Sequence, residues 1–135
     1  TNVTTIDVRC QNTSVGGKGA VMWINADRQG GQFAPLIVYV QLQSDSTQTL
    51  TLEGKPSDTS ATTLFTRSRL SSDPIRYQLT ILPQNNVVNL RINDIDEGTF
   101  TYPTYTPSSA SDRYLTLFED TSQAEFDYVD VRVAN

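Results

Sequence analysis

The sequence predicts an all-β chain, an antiparallel two-sheet β-sandwich of the jelly-roll type. Two observations carry this. Apolar and polar side chains alternate with period two along one short stretch after another, the pattern of a strand with one face in a core. Turn-forming residues interrupt these stretches roughly every 8–12 residues, which gives about eight to ten short strands. Composition agrees, with Thr, Val and Tyr plentiful and Ala, Glu and Lys sparse. No segment has the 3.6-residue periodicity of an amphipathic helix, and no internal repeat or domain boundary is visible. The 135 residues are therefore read as a single domain, 1–135, long enough to bury a two-layer core.

In chain order, Thr4–Cys10 turns Ile6, Val8 and Cys10 to one side, and the Gly-rich Val15–Gly19 is a turn. Gly19–Ala26 follows, with Ala20, Met22 and Ile24 opposite Val21, Trp23 and Asn25. Asp27–Gln32 is a loop, and Pro35–Ser44 places Leu36, Val38, Val40 and Leu42 inward. Thr49–Glu53 is its hairpin partner across Asp45-Ser46; Gly54–Ala61 reads as a polar surface loop and Thr62–Leu70 as a strand. The clearest hairpin joins Arg76–Leu82 to Val87–Asn93, with Tyr77, Leu79 and Ile81 opposing Val88, Leu90 and Ile92. Asn93–Gly98 is acidic turn chemistry, and Thr99–Ser111, with its Tyr and Pro residues, is a loop. Two alternating strands, Tyr114–Asp120 and Phe126–Val133, pair to close the chain.

Composition also excludes. The net charge of −5 argues against nucleic acid, whose affinity rests on Lys and Arg at phosphates. No apolar run approaches membrane-spanning length. The absence of His removes the usual general base and the commonest zinc ligand. The lone Cys10 cannot form an intrachain disulfide and, at a core-facing position, reads as a buried free thiol. The Gly16-Gly17-Lys18-Gly19 turn lacks the ending and following helix of a phosphate loop. No cofactor is expected. The acidic groups Asp94/Asp96/Glu97 and Glu119/Asp120 with Glu125/Asp127/Asp130 leave room for a structural calcium, although their spacing fits no EF-hand loop. Two sequons, at Asn2 and Asn12, give a first expectation of an extracellular or cell-surface protein.

The succession Arg76–Asp94, then Tyr114–Asp120, then Phe126–Val133 resembles the concanavalin A-like jelly-roll superfamily, and within it the alginate-lyase family 7 type of polysaccharide lyase. Thr5–Arg9, Trp23–Asn25 and Tyr114–Asp120 stand where that family carries three groove-facing strand motifs. The resemblance implies one concave groove bearing Arg9, Trp23, Asn25, Tyr39, Gln41, Asn89, Arg91, Tyr114, Thr116 and Phe118. It also shows what is missing. Arg9 keeps the family's Arg, but Trp23, Asn25 and Asp120 replace its Gln, His and catalytic Tyr, and an Asn takes no proton near neutral pH.

The expectation is accordingly a non-catalytic carbohydrate-binding domain, with Trp23 as the main stacking ring and amides and Arg bonding hydroxyls or a carboxylate of a polysaccharide or other glycan. Two alternatives stand beside it: a self-assembling structural subunit of filament, fibre or capsid type, which would make the partner a homo-oligomer or polymer, and a uronan lyase with an altered site.

Overall fold

The computed structural model describes residues 3–27, 34–57, 60–82, 85–103, 113–120 and 123–134; at 25–27, 56, 57, 60, 113, 114 and 118–120 only the backbone is described. Ten strands run in order: β1 Val3–Asn12, β2 Gly19–Asp27, β3 Ala34–Leu42, β4 Gln48–Ser57, β5 Ser60–Leu70, β6 Ile75–Leu82, β7 Val87–Ile92, β8 Ile95–Thr101, β9 Arg113–Asp120 and β10 Ala124–Ala134. They form two five-stranded sheets, both antiparallel, in the orders β10-β1-β6-β7-β8 and β5-β4-β3-β2-β9. We call these sheets A and B.

The core is the sum of the inward faces. Ile6, Val8, Cys10, Ile75, Tyr77, Leu79, Ile81, Val88, Leu90 and Ile92 of sheet A meet Ala20, Met22, Ile24, Leu36, Val38, Val40, Leu50 and Leu52 of sheet B. The predicted β6–β7 register is found, with Tyr77 paired to Ile92, Leu79 to Leu90 and Ile81 to Val88. One rim of the sandwich is sealed between β5 and β8. There the Phe65 and Phe100 rings lie 5.4 Å apart, and Arg67 bonds the buried Glu97 carboxylate at 2.7 Å.

Three sequence expectations are corrected. The chain reverses at Asn93-Asp94, whose φ values of 49° and 68° suit a two-residue hairpin, and Ile95–Thr101 then forms β8. Asp and Gly beyond the turn had the composition of a loop, but pairing with β7 overrides it. Likewise β4 continues to Ser57 and β5 begins at Ser60, where a loop over Gly54–Ala61 was expected. Finally, β9 and β10 do not pair: β9 adds to β2 in sheet B and β10 to β1 in sheet A. Each strand of a sandwich needs an inner face, and two consecutive strands can satisfy that need in different sheets.

Two buried amides tie the β1 end together. Gln48 is fully buried; its Oε1 accepts from the Asn12 backbone N–H at 2.9 Å, and its Nε2 donates to the Ser71 and Asp73 carbonyls at 2.6 and 2.8 Å. The Asn12 side chain is also buried, and neither of its amide atoms has a partner among the described residues. It lies against Gly19, whose φ of 73° and close neighbours, Asn12 Nδ2 and the Val40 carbonyl, leave no place for a Cβ. A glycan on the Asn12 amide is thus incompatible with the folded domain.

Replacing Gln48 by Leu should leave one N–H and two carbonyls unpaired and lower stability by about 3 kcal/mol, read as a reduced urea midpoint. Burial pushes the Cys10 thiol up to about 12. It should therefore resist an aromatic disulfide reagent in the folded protein and react fully in denaturant; rapid labelling of the native chain would contradict this.

Candidate functional site

Side chains on the outer face of each sheet follow from the ladder registers. On sheet B, Val21, Tyr39, Thr51 and Thr66 form one row across β2, β3, β4 and β5; Trp23, Ile37, Glu53 and Thr63 form the next. An outward face would ordinarily be wet. Here Val21 and Ile37 are as buried as the core and form a second apolar cluster with Trp23 and Tyr39.

Charged groups complete the cover. The Lys55 ammonium stands 5.2 Å over the Trp23 ring and that of Lys18 5.0 Å over the Tyr39 ring. Lys18 also faces the Glu53 carboxylate at 3.8 Å, and Glu53 is largely buried although it lies on the outside of the sheet. Burial and the adjacent Glu53 raise the Tyr39 phenol above its ordinary range, and its hydroxyl hydrogen-bonds the side chains of Thr51 and Glu53. Gln41 donates to the Gly17 carbonyl at 2.8 Å, fixing the turn that carries Lys18. At the β3–β4 turn the face runs into an open polar depression of about 440 Å³ lined by Gln43, Ser44, Asp45, Thr47, Thr49, Ser68 and Arg69. The result is a sheet face with two aromatic rings, two ammonium groups, a recessed carboxylate and a row of hydroxyls.

Sheet A presents something different. Asp7 accepts two bonds from Arg76, at 3.0 and 2.7 Å, and one each from Gln78 and Tyr128 at 3.3 and 3.2 Å. Arg9 pairs with Asp127, Arg91 donates to the Asp94 carbonyl at 2.7 Å, and Asn89 Nδ2 to Asp96 and the Gly98 carbonyl, both at 3.0 Å. These polar groups bind one another.

The expected single groove is therefore split. Trp23, Tyr39 and Gln41 share the outer face of sheet B, whereas Arg9, Asn89 and Arg91 lie on the outer face of sheet A, across the whole core. The reason is topological: β1 and β2 are neighbours in sequence but belong to opposite sheets, so alternation within each strand cannot put Arg9 beside Trp23. Thr116 pairs with Trp23 and is on the sheet B side. Asn25, Tyr114 and Phe118 lie in β2 and β9, but their side chains fall outside the described residues. Lys18, Thr49, Thr51, Glu53 and Lys55 were overlooked. Thr49, Thr51 and Glu53 alternate with the buried Leu50 and Leu52, so the signal was present once β4 was paired with β3.

The acidic residues considered for calcium point to different partners: Asp94 to Arg76, Asp96 to Asn89 and the Gly98 N–H, Glu97 to Arg67. Among the described residues no three carboxylate or thiol groups are arranged to hold a metal, and no helix is long and apolar enough to cross a membrane.

Architecture and outer faces together define a two-sheet jelly roll of the concanavalin A-like class. Solved structures with this fold include sheep galectin-11 in complex with glycerol, at 15% identity and TM-score 0.57, with 96% of this chain and 90% of that one covered. A tetrameric galectin from the ball sponge Cinachyrella sp. matches at 13% identity and TM-score 0.51, covering 96% and 91%. An alginate lyase from Pseudomonas aeruginosa matches at 12% identity and TM-score 0.53, covering 96% of this chain but only 64% of the lyase. No protein-family model matches the sequence, and no curated protein matches it. At these identities the likeness establishes the fold.

The Arg76 hydrogen bonds hold the Asp7 carboxyl below the usual carboxylate range. A lowered folded-state value means stabilisation that is complete above the ordinary value, about 3.9, and is lost as pH falls through the folded one. The urea midpoint should accordingly drop on acidification below about pH 4, and less steeply in Asp7→Asn. An equal slope in that variant would show that Asp7 contributes nothing.

Proposed function

We propose that the chain is a carbohydrate-binding jelly-roll domain that receives a glycan on the outer face of β2–β5. The observation that carries this reading is the pairing of two half-buried aromatic rings, Trp23 and Tyr39, with polar groups already held in place around them. Aromatic faces stack on the C–H surfaces of pyranose rings, while ammonium, hydroxyl and amide groups bond the sugar's hydroxyls. Glu53 is fixed by its bond to Tyr39 and by Lys18, so little ordering remains to be done on binding. The open polar depression at the β3–β4 turn extends the same face and suits a chain longer than one sugar.

The structural relatives support the same direction. Two are galectins and one is an alginate lyase, so this fold recurs in proteins whose business is carbohydrate. Catalysis draws no comparable support from the site: the sequence has no His, and Arg9, the Arg of the lyase-type motif, is on the other sheet. A glycan-binding role also suits an extracellular or cell-surface setting.

On a glycan array followed by calorimetry with the best hit, Trp23→Ala should weaken binding at least about tenfold with its β-rich circular dichroism unchanged. Arg91→Ala, on the opposite face, should bind like the parent. Absence of binding to any glycan, or equal loss from both variants, would overturn the assignment.

A further inference from the structure

The two rims of the sandwich are built differently. The β5/β8 rim is closed by the Phe65–Phe100 contact and the Arg67–Glu97 ion pair. The opposite rim is formed by β9 and β10, which end sheets B and A. Residues turned inward by register there are not covered: Leu115 and Leu117 of β9 are 37% and 39% exposed, and Val131 and Val133 of β10 are 46% and 59% exposed. Beyond β10 no further strand joins sheet A among the described residues, so its outer N–H and C=O groups form an open edge. That edge runs from Ala124 to Ala134; a bulge at Asp127 interrupts its first part, and the regular stretch beyond it, 128–134, contains neither Pro nor Lys.

The sequence of this edge carries a symmetry of its own. Val129-Asp130-Val131-Arg132-Val133 reads the same in both directions, except that Asp and Arg exchange places. Two such strands paired antiparallel about a two-fold axis at Val131 place Val131 opposite Val131 and Val129 opposite Val133. They also place each Asp130 opposite the Arg132 of the other copy. Within one chain Asp130 has a less favourable neighbour: its cross-strand partner on β1 is Asp7, a like charge whose own bonds go to Arg76, Gln78 and Tyr128. Among the described residues Asp130 is met by Arg132 two residues along the same strand, at 3.0 Å and well exposed.

We infer that β10 is a homodimer edge: a second copy of this chain adds its β10 in antiparallel register centred on Val131, making one continuous sheet A across both protomers. A foreign strand would have to supply an Arg and an Asp in this one spacing, whereas the chain supplies them itself. The pairing satisfies the open backbone groups of 128–134 and brings the exposed Leu115, Leu117, Val131 and Val133 of both copies to a shared rim. It is isologous, so it closes at two copies instead of propagating into a fibre. The glycan face of sheet B lies away from this edge, and the inference does not depend on it.

Sedimentation velocity tests the register directly. The parent chain should reach a mass of about 30 kDa, twice the 15.0 kDa chain, by about 100 µM. Arg132→Asp and Asp130→Arg should each be monomeric there, because like charges now face each other. An equimolar mixture of the two single variants should recover the dimer, since every Arg then meets an Asp, and so should the double variant that exchanges both. Circular dichroism establishes that each variant is folded. A monomeric parent, a single variant that still dimerises, or a folded mixture that stays monomeric would each overturn the inference.

Discussion

Every strand of this chain must bury one face between two sheets, and the remaining features depend on that constraint. It selects the alternating residues, fixes register against slippage and decides which side chains are left outside. Tyr77 shows how strict it is: a full aromatic side chain sits in the inner row of β6 with 1% exposure, paired to Ile92 and next to the Cys10 thiol. The same constraint leaves each sheet an outer face, and the two outer faces have been used in opposite ways.

On sheet A the polar residues satisfy one another. Asp7 accepts from Arg76, Gln78 and Tyr128, which lashes β1 to β6 and β10. Such a lattice in water contributes modestly to stability, but it leaves few groups unengaged for a ligand. On sheet B the outer face holds a second apolar cluster and a recessed carboxylate facing Lys18. Burying Glu53 where water could otherwise reach it costs free energy that a merely solvated strand need not spend. The asymmetry between the faces is the physical basis of the proposal that a ligand is received on sheet B.

The rims repeat the contrast. Where β5 meets β8, an aromatic pair and the ion pair between half-exposed Arg67 and the buried Glu97 carboxylate cover the core. Where β9 and β10 end their sheets, the inward Leu and Val side chains remain partly wet. Open sheet edges invite strand addition, and proteins usually block them with charge, Pro or a bulge. On β10 the two charges at the centre of the edge are of opposite sign and symmetrically spaced, the basis of the proposal that it pairs with a second copy of the chain, whereas uniform charge would repel such a copy.

Much of this was legible in residue order. Alternation in Thr4–Cys10, Pro35–Ser44 and Arg76–Leu82 fixes strands, inner faces and the burial of Cys10, because period two is a local property of the backbone. The β6–β7 register was legible too, since opposing apolar rows have few ways to meet. Which strands share a sheet was not. Arg9 and Trp23 are fourteen positions apart and both point outward, yet the core stands between them. The sequence by itself determined the strands, the core and the class of fold. Only the tertiary structure decided which outward residues are neighbours, because sheet membership depends on long-range pairing that alternation along one strand does not encode.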